Sequence, residues 1–258
     1  MATITIPGHT FRNIDLVIFD KDGTLMELHH YWSEMCILRA DRITERLDLS
    51  KEEWRALLYA MGVDAVKKRL QPEGPVGIKK REVVMQAAVD YLASVGHNDT
   101  SSICYEVFEE VDAFSANILE RLVIPIPGAG DCIQQIKTSG CKSAIATTDR
   151  SYRASLAMDI LGFGKSMDII VGADCVSETK PSPEMVYYIL DKLGVDRSRA
   201  LMVGDASTDV DMGKRAGMAG TIGVLTGQTS RDVLEKYTPY IVGSVADIKV
   251  ISSANDTE

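Results

Sequence analysis

The chain has 258 residues, enough for one large domain or for a core with a smaller second one. Apolar residues make up 45% and charged residues 25%, which suits a globular protein with a sizeable core. The formal net charge of -9 disfavours a broad nucleic-acid or anionic-membrane surface, although a local positive pocket can still take a small anion.

The opening stretch, Met1 to Asn13, has no apolar segment behind a basic start, so no signal peptide is expected. The first clear strand is Asp15 to Phe19. It stops at a charged turn, Asp20-Lys21-Asp22-Gly23-Thr24, in the manner of a buried parallel strand. Four segments with apolar residues at helical spacing follow: Tyr31 to Leu47, Lys51 to Met61, Lys79 to Val95 and Ser102 to Leu122. No strand is expected among them, and Gln71 to Pro75 and Gly96 to Asp99 read as breaks.

After Pro125-Ile126-Pro127-Gly128 the pattern changes. A helix over Ala129 to Thr138 stops at Gly140. Strands at Ser143 to Thr147, Asp168 to Val171, Ala200 to Val203, Thr221 to Leu225 and Tyr240 to Val242 then alternate with helices. Those helices are expected at Arg150 to Leu161, Pro183 to Leu193 and Asp209 to Ala216. Alternation of this kind predicts an α/β fold, a Rossmann-like parallel sheet with helices on both faces. The strand at 15–19 must join it across the helical block. The expected domains are therefore a discontinuous core (1–26 and 127–258) and an inserted α-helical unit (27–126).

The tail from Ser252 to Glu258 reads as frayed. No apolar run approaches the ~18 residues that mark a membrane span. Five scattered cysteines (Cys36, Cys104, Cys132, Cys141, Cys175) form no C-x-x-C pair and read as mostly buried thiols in a reducing compartment. A cytoplasmic protein is expected.

Open parallel sheets bind ligands at the carboxyl ends of their strands. Those ends carry Asp20 and Asp22, then Thr147 and Thr148, then Gly204-Asp205 with Asp209 four residues on; Lys180 lies in a loop beyond the third. Four crowded carboxylates are costly unless a cation sits among them, and all-oxygen ligation suits Mg²⁺. A phosphate dianion can then approach, with Lys180 and Thr147 orienting its oxygens. Asp20 could attack phosphorus, while Asp22 could protonate the leaving oxygen and later deprotonate water.

These segments resemble the four motifs of the haloacid dehalogenase superfamily, in the phosphatase branch with a helical cap inserted after the first motif. Phe19-Asp20-Lys21-Asp22-Gly23-Thr24-Leu25 resembles the first, and Ala144-Ile145-Ala146-Thr147-Thr148-Asp149 the second, with Thr148 where Asn is common. Lys180-Pro181-Ser182-Pro183-Glu184 resembles the third, and Gly204-Asp205-Ala206-Ser207-Thr208-Asp209 the fourth. Pro125 to Gly128 is similar to the cap-to-core return of phosphoglycolate-phosphatase-like members.

The resemblance implies a phosphatase acting on a small phosphorylated metabolite. It makes Asp20 the nucleophile and Asp22 the general acid/base. Mg²⁺ would be held by Asp20, the main-chain carbonyl of Asp22, and Asp205, supported by Asp209. Thr147, Thr148 and Lys180 would bind the phosphoryl group. No nucleic acid or membrane partner is expected, and a monomer and a homodimer both remain open.

A β-phosphoglucomutase-type mutase would use the same Asp pair. A haloacid dehalogenase proper lacks the second aspartate. A phosphonate hydrolase would need a cap lysine such as Lys67, Lys68, Lys79 or Lys80. A silent binding protein would have lost one of Asp20, Asp22, Lys180 or Asp205. His29 and His30 face either substrate or solvent. Tyr31 and Trp32 read as core or hinge, Lys79-Lys80-Arg81 as a solvated face, and Met35, Met61 and Met85 as core filling. Asp209 also reads as a helix N-cap.

Overall fold

The computed structural model describes residues 1–72 and 74–252. Contacts within the chain divide it into two compact units, Met1–Glu27 together with the chain from Pro125 onward, and Leu28–Ile124.

The first unit opens with a hairpin that was not expected, β1 (Ala2–Ile6) and β2 (His9–Ile14). Ala2, Ile4 and Ile6 point inward while Thr3 and Thr5 alternate outward, the period of a half-buried strand. Gly8, at φ 81°, makes the turn. β3 (Leu16–Phe19) follows and is buried throughout. It is thus the third strand of the chain, not the first.

In the second unit, α1 (Leu28–Leu47) leads to α2 (Lys51–Met61). Ser50 caps α2: its hydroxyl accepts from the Glu53 N–H, while the Glu53 carboxylate accepts from the Ser50 N–H. Gly62, left-handed at φ 101°, ends the helix. A two-residue-per-strand hairpin, β4 (Val63–Asp64) and β5 (Arg69–Leu70), comes next, where no strand was expected. Val63 and Leu70 pair and are buried, which pins so short a ladder in place.

The unit continues through α3 (Arg81–Ser94), α4 (Ser101–Ser115) and, after one 3₁₀ turn at Ala116–Ile118, α5 (Leu119–Leu122). Leu57, Leu58, Leu92, Val107, Phe108 and Val111 are among its fully buried residues. Arg39, also buried, lies over the Phe108 ring at 4.2 Å and pairs with Asp112, which Arg81 reaches as well. Arg81 therefore belongs to an ion network, whereas Lys79 and Lys80 are exposed.

Back in the first unit the chain alternates through α6 (Ala129–Thr138), β6 (Lys142–Ala146), α7 (Ser151–Ile160), β7 (Ile169–Val171), α8 (Glu184–Leu193), β8 (Ala200–Gly204), α9 (Ser207–Ala216) and β9 (Gly220–Val224). It ends with α10 (Arg231–Leu234), β10 (Ile241–Val242) and β11 (Lys249–Ser252). Neither α10 nor β11 was expected. β11 pairs antiparallel with β1, so Ser252 closes a strand rather than opening a frayed tail; residues 253–258 lie outside the described residues.

The main sheet has the order β10-β9-β8-β3-β6-β7 and is parallel throughout. β3 is therefore central, which explains its unbroken apolar run. Leu16 and Ile18 pack with Ala144, Ala146, Val171 and Met202 against Met185, Val186 and Ile189 of α8 and Met212 and Ala216 of α9. Each buried leucine, isoleucine, valine or methionine among them contributes roughly 1.5–3 kcal/mol by leaving water. β11-β1-β2 forms a separate three-stranded sheet.

Candidate active site

Strand register sets the site. Phe19 stands level with Ile145 on one side and Val203 on the other. The residues just past these pairs, Asp20, Thr147 and Asp205, therefore emerge at one edge of the sheet. The Asp20 N–H still donates to the Val203 carbonyl at 2.8 Å, and Thr147 N–H to Val171 at 3.0 Å, so both leave the strands in a fixed direction.

Asp20, Asp205 and Asp209 are all buried, and each offers an oxygen within 4.8 Å of the others. Lys180, 3% exposed, reaches into the group: its ammonium is 2.5 Å from Asp20 Oδ1 and 2.7 Å from Asp209 Oδ1. Asp209 also accepts from the Ala206 N–H at 3.0 Å through Oδ2. It is thus not the N-cap of α9 but a residue of its first turn, reaching back to Ala206, which has no side-chain acceptor of its own. Lys180 is carried by the loop before α8. The Glu184 carboxylate holds that loop by accepting from the N–H groups of Ser177 (2.8 Å) and Glu178 (2.7 Å).

The electrostatics follow from burial. Desolvation raises the Asp20 carboxyl above its ordinary value, Lys180 opposes that, and Asp209 adds to it. Asp205 is pushed well up, first by burial and then by the charges of Asp20 and Asp209. It makes no ion pair among the described residues; the Thr24 hydroxyl approaches at 3.5 Å. Burial works against the charge of Lys180, but Asp20 and Asp209 outweigh it and hold its pKa up.

Three buried anionic oxygen donors against one ammonium leave uncompensated negative charge. The donor set holds no sulfur or imidazole, so it fits a hard divalent cation such as Mg²⁺. Two glycines make room for Asp205. A Cβ on Gly23 (φ 84°) would lie 2.7 Å from its carboxylate carbon, and one on Gly227 would overlap the carboxylate outright. Gly227 follows Thr226, whose hydroxyl donates to the Gly23 carbonyl at 2.5 Å. Gly227 and Thr226, in the loop after β9, carry no motif in the sequence that marks them for the site.

The Asp22 carboxylate is not in the three-carboxylate group. It pairs with the Lys21 ammonium at 2.8 Å. Its carboxyl is raised by burial, which Lys21 opposes and Asp20 and Asp149 reinforce. Thr147 is buried and its hydroxyl accepts from the Asp149 N–H at 3.1 Å, whereas Thr148 is exposed. His29 and His30 are neither free nor simply solvated: His29 Nδ1 accepts from the Leu70 N–H at 3.3 Å, and a His30 ring nitrogen lies 3.1 Å from the Arg121 carbonyl.

Residues 14–217 match the model of the haloacid dehalogenase-like hydrolases, and the chain belongs to that family. It is 34% identical over 230 residues to the protein named "Probable phosphatase IndB" of Dickeya dadantii (strain 3937), covering 88% of each chain. It is 25% identical over 252 residues to a phosphoglycolate phosphatase of Pseudomonas fluorescens (strain Pf0-1), covering 97% of this chain and 82% of the other. In fold it is similar to the crystal structure of a "predicted phosphoglycolate phosphatase" from Haemophilus somnus 129pt, with a TM-score of 0.71 at 20% identity over 92% of this chain and 97% of that one.

Proposed function

We propose that the protein is a magnesium-dependent phosphatase that hydrolyses a small phosphomonoester through an aspartyl-phosphate on Asp20. The observation that carries this reading is the meeting of Asp20, Asp205, Asp209 and Lys180 at one edge of the parallel sheet. The similarity to two proteins named as phosphatases supports the reaction class, and the Pseudomonas fluorescens relative supports a substrate of the phosphoglycolate kind.

Mg²⁺ would be held by Asp20, Asp205 and the main-chain oxygen of Asp22, with Asp209 behind them, and would supply the positive charge that lets a phosphate dianion approach carboxylates. Lys180 and Thr147 bind the phosphoryl oxygens, with Thr148 at the outer edge. An Asp20 oxygen attacks phosphorus, the ester P–O bond breaks, and Asp22 gives its proton to the leaving oxygen. The raised Asp22 carboxyl suits a proton donor. Asp22 then takes a proton from the water that attacks the aspartyl-phosphate, which releases phosphate and restores Asp20. The helical unit Leu28–Ile124 acts as a cap that selects the substrate.

Phosphate release from a panel of phosphorylated metabolites, with Mg²⁺ and with excess chelator, tests the reading. Metal-dependent release from a few small monoesters, abolished in a folded Asp20→Asn protein, is expected. Bisphosphate-dependent isomerisation without phosphate release would replace hydrolysis by a mutase reaction.

A further inference from the structure

Lys21 is left unused by the chemistry above, yet it is 1% exposed. A buried ammonium costs several kcal/mol unless it is paired. A methionine or leucine would fill the same space without that cost, so packing alone does not account for the charge. The ammonium lies 2.8 Å from Asp22 Oδ1, 3.4 Å from Asp149 Oδ2 and 3.7 Å from the Met26 sulfur. The main-chain N–H of the same residue donates to the Asp20 carboxylate. Asp149 is itself fixed: its Oδ1 accepts from the Arg150 N–H at 2.8 Å, and its own N–H donates to the Thr147 hydroxyl at 3.1 Å. One ammonium thus ties the segment after β3 to the segment after β6, with Asp22 at one end and the neighbour of Thr147 at the other.

We propose that Lys21 is a positioning residue: its ammonium, braced by Asp149, holds the Asp22 carboxyl group in the orientation from which Asp22 serves the leaving oxygen. The inference rests on the phosphatase reading above.

The test compares kcat/KM on two monoesters, an alkyl phosphate such as phosphoglycolate and p-nitrophenyl phosphate. An alkoxide leaves only if it is protonated, whereas p-nitrophenolate leaves unaided. General-acid catalysis is worth about 10²–10⁴-fold, so partial misplacement of Asp22 in Lys21→Met costs about 10–100-fold on the alkyl ester and less than about 3-fold on the aryl ester. Lys21→Arg, which keeps the charge, restores most of the alkyl activity. A merely structural role lowers both substrates alike, and equal losses, or no loss on the alkyl ester, overturn the proposal. If Lys21→Met fails to fold by circular dichroism, Asp149→Asn removes the brace and is read on the same pair, with a smaller loss of the same selectivity expected and an equal loss contradicting it. A wild-type protein with no Mg²⁺-dependent phosphate release would sink the phosphatase reading itself, and this inference with it.

Discussion

Replacing Lys180 by methionine removes the only cation seen in contact with the carboxylate group, among the described residues, while keeping its length. The ammonium sits 2.5 Å from Asp20 and 2.7 Å from Asp209. At an effective dielectric near 20, each contact corresponds to about 6 kcal/mol of gross attraction. Desolvating the three ions takes most of this back, and breaking a buried pair from one side costs about 3–5 kcal/mol net because the other charges are stranded. In metal-free protein at pH 7.5 the Lys180→Met variant should lose that amount, a drop of about 6–20 °C in Tm for a chain of this size.

The loss should depend on pH. Asp20 already has a raised carboxyl pKa, and without Lys180 the Asp20–Asp209 repulsion raises it further. Protonation of Asp20 as pH falls then relieves the stranded charge, so the deficit should be smaller at pH 5 than at pH 7.5. Urea unfolding followed by circular dichroism at both pH values measures this. A deficit under about 1 kcal/mol at pH 7.5, or one equal at the two pH values, would refute the reasoning.

Three further outcomes are expected. Asp20, Asp22 and Asp205 all have raised folded pKa values, so their stabilising contribution is full below about pH 4 and is lost as pH rises through those values. Saturating Mg²⁺, at ~100 times its Kd, should therefore add about 2.7 kcal/mol near pH 8 and much less at pH 5, read as a thermal shift; a pH-independent shift contradicts the ligand set. His29 is held down to about 4 by burial and by Arg69, so it contributes stability above about pH 6.5 that is lost as pH falls towards 4. Its ring should stay neutral, with the proton on Nε2, in NMR spectra down to pH 5, and a midpoint near 6.5 would contradict this placement. Gly227→Ala puts a methyl group where the Asp205 carboxylate lies, so Mg²⁺ affinity by calorimetry should fall about 10–100-fold in a folded protein, and an unchanged Kd would show that the loop yields freely.

The alternating half of the chain was legible because each buried strand is a short apolar run ended by a polar turn. The helix at Ala129–Thr138 and the one at Lys51–Met61 matched to the residue, since Gly140 and Gly62 mark their ends. The terminal sheet was not legible as a sheet. The Ala-Thr-Ile-Thr-Ile alternation of β1 is a strand signal, but its partner β11 lies about the whole chain away, and four residues carry little period of their own. β4 and β5 are too short for periodicity to register.

At the site, the motif order brought forward Asp20, Asp205, Asp209 and Lys180, which the fold gathers. It said nothing of Lys21 or Gly227. A lysine between two aspartates reads as solvated until burial shows otherwise, and a glycine needed for close approach of a carboxylate has no local signature.

The central claim is a phosphoryl group carried by Asp20. Acid quenching of the enzyme during turnover of a good monoester, followed by proteolysis and mass spectrometry, tests it most directly. The account predicts one phosphoryl group on the peptide containing Asp20, absent from Asp20→Asn. Rapid turnover with no phosphorylated peptide under any quench time, or with the label on another residue, would contradict it.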